Sequence, residues 1–60
     1  MPNEPFNQRK YAQGFEHAIL DIREDGIEYA EQESFKNGTG WYAVGYTTCL
    51  GAYKSGIRND

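Results

Sequence analysis

Three side chains in this sequence have the types needed for proton or nucleophilic chemistry. His17 and Asp21 stand four residues apart in a stretch of helical spacing, so one helix face would carry both. A carboxylate beside an imidazole can fix its tautomer and orientation, but no nucleophile has spacing that matches the pair, and it reads as a surface pair. Cys49 is the only cysteine. A reactive thiol needs nearby positive charge to hold its thiolate, and the surrounding TTCLGA carries none. On an apolar stripe it reads as a small core hydrophobe. One Cys and one His cannot complete a Cys/His zinc site, and neither GxxxxGK[ST] nor GxGxxG occurs. The reading is a non-enzyme with no catalytic residues, cofactor or metal.

The elements that would hold these residues can be read from apolar spacing. Residues 1–7 contain Pro2 and Pro5 and read as an extended arm, with Phe6 as an anchor. Over 8–25, Tyr11, Phe15, Ala18, Ile19 and Ile22 fall on one helical stripe. Gly14 beside that stripe costs roughly 1 kcal/mol of helix stability, which a close backbone approach would offset. Asp25-Gly26 stops the helix. Residues 26–40 form a linker. Within it, 27–36 reads as a short helix with Ile27 and Ala30 on one face, or as a strand with Ile27 and Tyr29 on one side; the helix is preferred. Asn37-Gly-Thr-Gly is a turn, with Thr39 as the expected N-cap of the element that begins near Trp41.

The stretch Asn37–Tyr53 carries no charge in a chain that is 25% charged. Its Trp, Tyr, Val and Thr content suits a strand. Yet Tyr42, Gly45, Tyr46, Cys49, Leu50 and Tyr53 fall at helical spacing. YAQGFEHAI (Tyr11–Ile19) also aligns with YAVGYTTCL (Tyr42–Leu50). A second helix over 41–55 is therefore expected, ended by Gly56, with 56–60 as a polar tail. Gly14 and Gly45 would let the two helix backbones come close.

Two surfaces are candidates for binding. The far side of the second helix presents Val44, Thr47, Thr48, Gly51 and Ser55, with Trp41 at its start as an aromatic anchor or, equally, a cap on the core. An ordinary solvated face would carry Lys and Glu, so this one is expected to be covered by a second copy, by a partner, or by the arm, the 27–36 segment or the tail. The second surface is acidic. Seven of the nine carboxylates lie between Glu16 and Glu33, answered only by Arg23. Glu24, Asp25, Glu28, Glu31 and Glu33 read as a solvated face or as a docking surface for a basic protein patch.

Size and charge set the class. A 60-residue chain buries only about 60% of its unfolded surface, and such folds need a staple. With disulfide and zinc excluded, oligomerisation or a partner is left. A net charge of −3 argues against a phosphate-backbone binder. No apolar run spans a membrane, and MPNEPFNQRK lacks a signal-peptide core, so the chain reads as cytoplasmic.

The paired motifs Gly14-Phe15-Glu-His-Ala18-Ile19 and Gly45-Tyr46-Thr-Thr-Cys49-Leu50, each with a tyrosine four residues before its aromatic, resemble those of ribosome modulation factor. That resemblance implies a helical hairpin and a ribosome-associated, hibernation-type role. The family is basic and carries a Cys-Pro-Tyr linker, which this acidic chain lacks. In size and composition the chain is similar to small acidic accessory proteins of bacteriophages. Together these readings give an all-α antiparallel helical hairpin with a short middle helix, completed by homo-oligomerisation. The expected function is a non-catalytic protein-binding regulator or inhibitor. A ribosome-associated factor and a structural subunit of a larger assembly are the alternatives.

Overall fold

The computed structural model describes residues 2–58, apart from the side chains of 57 and 58. Three helices succeed one another, α1 (Gln8–Asp25), α2 (Ile27–Ser34) and α3 (Trp41–Arg58), with no strand among the described residues. Asn7 caps α1, its Oδ1 accepting the Lys10 N–H at 3.1 Å. Gly26 closes α1 and opens α2. Its N–H donates to the Ile22 carbonyl at 3.0 Å and its carbonyl accepts the Ala30 N–H at 3.2 Å. A φ of 93° makes that corner a glycine position. The segment 27–36 is thus helical over Ile27–Ser34.

α3 begins one residue later than a Thr39 cap would allow. Gly40 sits at the start instead, its carbonyl accepting the Val44 N–H at 3.1 Å. At the other end the helix passes through Ser55 and Gly56 to Arg58, where Gly56 was expected to stop it. Glycine ends a helix by turning left-handed, and positive φ among the described residues occurs only at Gly26 and Gly38. Gly56 keeps a helical backbone. Residues 59–60 of the expected tail lie outside the described residues.

The direction of packing corrects the antiparallel hairpin. A hairpin would set the first turn of α1 beside the last turn of α3. Here Phe6, just ahead of α1, stacks edge-on against Trp41 at 4.9 Å. Further along, Asp21 meets Tyr46, and Lys54 in the last turns of α3 pairs with Glu31 of α2 at 2.5 Å. α1 and α3 therefore run in the same sense, and α2 carries the chain back between them. The cause is local. Gly26 reverses the chain into α2, and the 35–40 turn reverses it again, so two reversals restore the original direction.

The two long helices meet at their glycines in a reciprocal way. A Cβ on Gly14 would overlap the Tyr42 carbonyl oxygen and stand 3.0 Å from the Tyr46 nitrogen. A Cβ on Gly45 would overlap the Tyr11 carbonyl oxygen and stand 3.1 Å from the Tyr11 Cα. The Tyr-Ala-x-Gly of each helix packs on that of the other. The internal repeat is therefore a pseudo-twofold axis running along the helix pair.

Close approach selects small residues for the seam. The buried line of α1 is Gly14, Ala18 and Ile22, while Tyr11 and Phe15 are half-buried and Ile19 is 39% exposed. The expected stripe is rotated to one side because its larger members do not fit between the backbones. On α3, Ala43, Tyr46, Cys49 and Leu50 are buried. The last three join Ala18, Ile22 and Ala30 in one core. Tyr53, at the end of the expected stripe, is exposed.

Candidate functional site

α3 positions the uncharged face. Because Tyr46, Cys49 and Leu50 point into the core, the 3.6-residue repeat turns Thr47, Thr48, Gly51 and Ser55 outward. Thr47, Thr48, Gly51 and Ser55 are exposed along this side, and Val44 is half-buried. The single proton of the Thr47 Oγ1 hydroxyl is shared between the Ala43 carbonyl at 2.9 Å and the Val44 carbonyl at 3.1 Å. The Thr48 Oγ1 donates to the Val44 carbonyl at 2.7 Å. With each hydroxyl bonded to its own helix, the threonines present mainly methyl groups outward. Nothing lies within 4 Å of a Cβ placed on Gly51. Neither the arm nor the 27–36 segment folds over this face, so both fail as its intramolecular cover.

Trp41 is diverted from that surface. Its Nε1–H donates to the Glu4 carbonyl at 3.2 Å, and its ring takes Phe6 edge-on. Phe6 also lies 5.7 Å from Tyr11. The arm is thereby clipped across the starts of both long helices, as the expected anchoring by Phe6 implies, and Trp41 is half-buried in that clip.

The acidic residues divide into answered and unanswered groups. Glu31 pairs with Lys54, and Glu33 pairs with Lys36 at 3.1 Å. Glu24, Asp25 and Glu28 are exposed around the α1–α2 corner, and no ion pair among the described residues reaches them. The phenol of exposed Tyr29 is pushed above the usual range by Glu33, then by desolvation, then by Asp21 and Asp25.

His17 and Asp21 do not engage each other; each takes a tyrosine of α3. The His17 Nδ1 lies 2.6 Å from the Tyr42 hydroxyl, and the Tyr46 hydroxyl donates to Asp21 Oδ2 at 2.5 Å. Four-residue spacing on both helices sets the two contacts side by side. Tyr46 is 1% exposed. Burial, then the bond to Asp21, then the charges of Asp21, Glu33 and Tyr42 raise its phenol far above the ordinary value. Burial raises Tyr42 as well, helped by Asp21 and Glu33. These groups tie α1 to α3.

Cys49 is buried as a free thiol, pushed up by desolvation. Modification by a thiol reagent at neutral pH should therefore track the opening of the fold. Added urea below the unfolding midpoint is expected to speed labelling steeply. A labelling rate equal to that of a short unstructured thiol peptide would contradict the burial.

Sequence spacing did not reveal a further apolar surface. An open groove of about 480 Å³ runs along the outer side of α1, walled by Phe6, Tyr11, Ala12, Phe15 and Ile19 with Glu16 at its rim. Phe35, at the end of α2, is 86% exposed. The excess of large residues on the α1 stripe was the available signal for the first, and a lone aromatic in the polar run ESFKN for the second. No helix among the described residues is long and apolar enough to cross a membrane. Comparison of the chain with family models, with curated proteins and with solved structures gives no match.

Proposed function

We propose that this chain is a small non-catalytic regulator or inhibitor that works by binding another protein and by pairing with a second copy of itself. The observation that carries the reading is the α3 face of Thr47, Thr48, Gly51 and Ser55, flanked by Val44, which holds no charge and no cover from the arm or from α2. A helix of a partner protein can approach such a surface closely and lose no hydrated charge in doing so. Glu24, Asp25 and Glu28 supply a second, steering surface for a basic partner. The size and composition suit a phage accessory protein directed at one host target.

The test is capture of binding partners from a bacterial lysate at low and at moderate salt, with protein and RNA both identified. One dominant protein retained at moderate salt is the expected result. Ribosomal proteins and RNA that are lost as salt rises would instead favour the ribosome-associated reading, because phosphate contacts weaken steeply with salt. High-order assemblies of the chain alone would favour a structural subunit. Gly51→Lys is the matching variant. Lysine is a better helix former than glycine, by less than the roughly 0.8–1 kcal/mol that separates glycine from alanine, so the fold should persist while partner capture is lost. Undiminished capture by Gly51→Lys would sink the role given to this face.

A further inference from the structure

We infer that the groove on the outer side of α1 is filled by Phe35 of a second copy of this chain. This rests on the self-pairing proposed above and assigns it a surface separate from the α3 face.

The pseudo-twofold identifies what the groove lacks. Phe15 and Ile19 occupy, on α1, the positions that Tyr46 and Leu50 occupy on α3. α2 packs beside α3, tied to it by Glu31 and Lys54, and its Ala30 joins the core with Tyr46 and Leu50. Those two residues are 1% and 5% exposed. There is one α2, so among the described residues no helix covers the equivalent side of α1. Phe15 stays half-exposed there, Ile19 is 39% exposed, and the surface is concave. An empty place equivalent to one already filled by α2 is suited to the α2 end of another copy.

That α2 end carries the matching feature. Phe35 is the most exposed large apolar side chain of the described residues, at 86%, and it stands just past the last turn of the helix. A groove of about 480 Å³ admits a phenyl ring with room for the backbone behind it. The ring is outside its own chain's groove, so only another molecule can bring the two together. Charge agrees. Among the described residues, Glu16 is the only charged one lining the groove, and Lys36 is the next residue after Phe35. Lys36 is 76% exposed in its pair with Glu33, and exposed pairs are weak enough to exchange. Each copy offers one ring and one groove, the self-complementary requirement of a symmetric dimer.

The experiment is solution mass by light scattering across a wide range of concentration, on the full chain and two variants. Phe35→Ser alters an exposed side chain, and Ala12→Glu adds a carboxylate to the exposed groove wall; circular dichroism should show both folded. The full chain is expected to pass from one 6.9 kDa unit to a pair as concentration rises. Each variant should lose roughly tenfold or more in association constant, the cost of removing a central aromatic anchor. Mixing the two variants should recover part of the association, because one retains the groove and the other the ring. A full chain that stays single at every concentration, a Phe35→Ser variant that pairs unchanged, or a mixture that stays single would each overturn the assignment. Gly51→Lys should still pair. Loss of pairing in Gly51→Lys with Phe35→Ser unaffected would move self-association to the α3 face and leave the protein-binding proposal standing.

Discussion

Gly14→Ala should strongly destabilise the protein. The added methyl would overlap the Tyr42 carbonyl oxygen, with the Tyr46 nitrogen 3.0 Å away. Both obstacles are backbone, so no side chain can rotate aside. The helices would have to separate at their point of closest approach, loosening Tyr46, Cys49 and Leu50 against Ala18 and Ile22. Overpacking of this kind costs about 1–3 kcal/mol and sometimes more, and rigid backbone on both sides places this case at the upper end. A domain of this size holds roughly 3–9 kcal/mol in total. A fall in melting temperature of ~12 °C or more is expected for a loss of ~3 kcal/mol. Gly45→Ala should behave alike, since the Tyr11 carbonyl is its counterpart. Gly51→Ala is the control: it meets nothing within 4 Å and should gain roughly 0.5–1 kcal/mol from helix propensity. Thermal melts monitored by circular dichroism decide the matter, and a Gly14→Ala curve superimposed on that of the parent would refute the reciprocal glycine contact.

Tyr46→Phe should cost about 2 kcal/mol, the usual worth of a hydrogen bond to a charged group. The ring remains, so no cavity opens. What is lost is the donor to Asp21, a half-buried carboxylate on the opposite helix. Tyr42→Phe should cost less, about 1 kcal/mol, because its bond to His17 lies at the surface. The Tyr46 variant also has a pH signature. In the fold, burial and Asp21 hold the Tyr46 proton far above the ordinary phenol range; in the unfolded chain it leaves near pH ~10. Above that pH the native state binds more protons than the unfolded state, so stability falls as pH rises if the unfolded chain has already lost its proton. The sign is that of a raised folded pKa: the contribution is fully present below the unfolded value and is lost towards the folded one. Urea midpoints at neutral pH and at about pH 11 should therefore show a different alkaline change in the parent than in Tyr46→Phe. Tyr42 and Cys49, raised by burial, and Tyr29, raised chiefly by Glu33, sustain the remaining dependence. An equal alkaline change in both proteins would contradict the Tyr46–Asp21 contact.

Helical type was legible from spacing, because a run such as Tyr42, Gly45, Tyr46, Cys49 and Leu50 marks one face and the Tyr-Ala-x-Gly repeat transfers that reading between segments. Direction was not. A linker of fifteen residues, 26–40, looks like one long turn, and whether it reverses the chain once or twice depends on Gly26, whose φ no pattern of apolar residues reports. The seam of α1 was displaced for a related reason. Apolar spacing weights large side chains, whereas a backbone contact selects Gly14 and Ala18 and pushes Phe15 and Ile19 aside. On α3 the uncharged face could be read from composition, since the outward position of Thr47, Thr48 and Gly51 is fixed once Tyr46 and Leu50 are buried. The contact that holds Trp41 was not legible because its partner, the Glu4 carbonyl, lies in a segment with no periodicity. Of the acidic residues, the contacts of Glu31 with Lys54 and of Asp21 with Tyr46 required the third dimension.

The double reversal also governs how the protein reaches its fold. Helical domains usually assemble quickly because neighbours in sequence are neighbours in space. Here the seam joins residues separated by about half the chain, so closing it carries a loop entropy closer to that of a mixed domain. Only the Gly26 corner forms from nearby residues. α1 and α2 can meet early, but Ala18 and Ile22 keep an open side until Cys49 and Leu50 arrive. The rate of folding should accordingly depend on the flexibility of residues 35–40 more than on the helix propensity of α1 or α3.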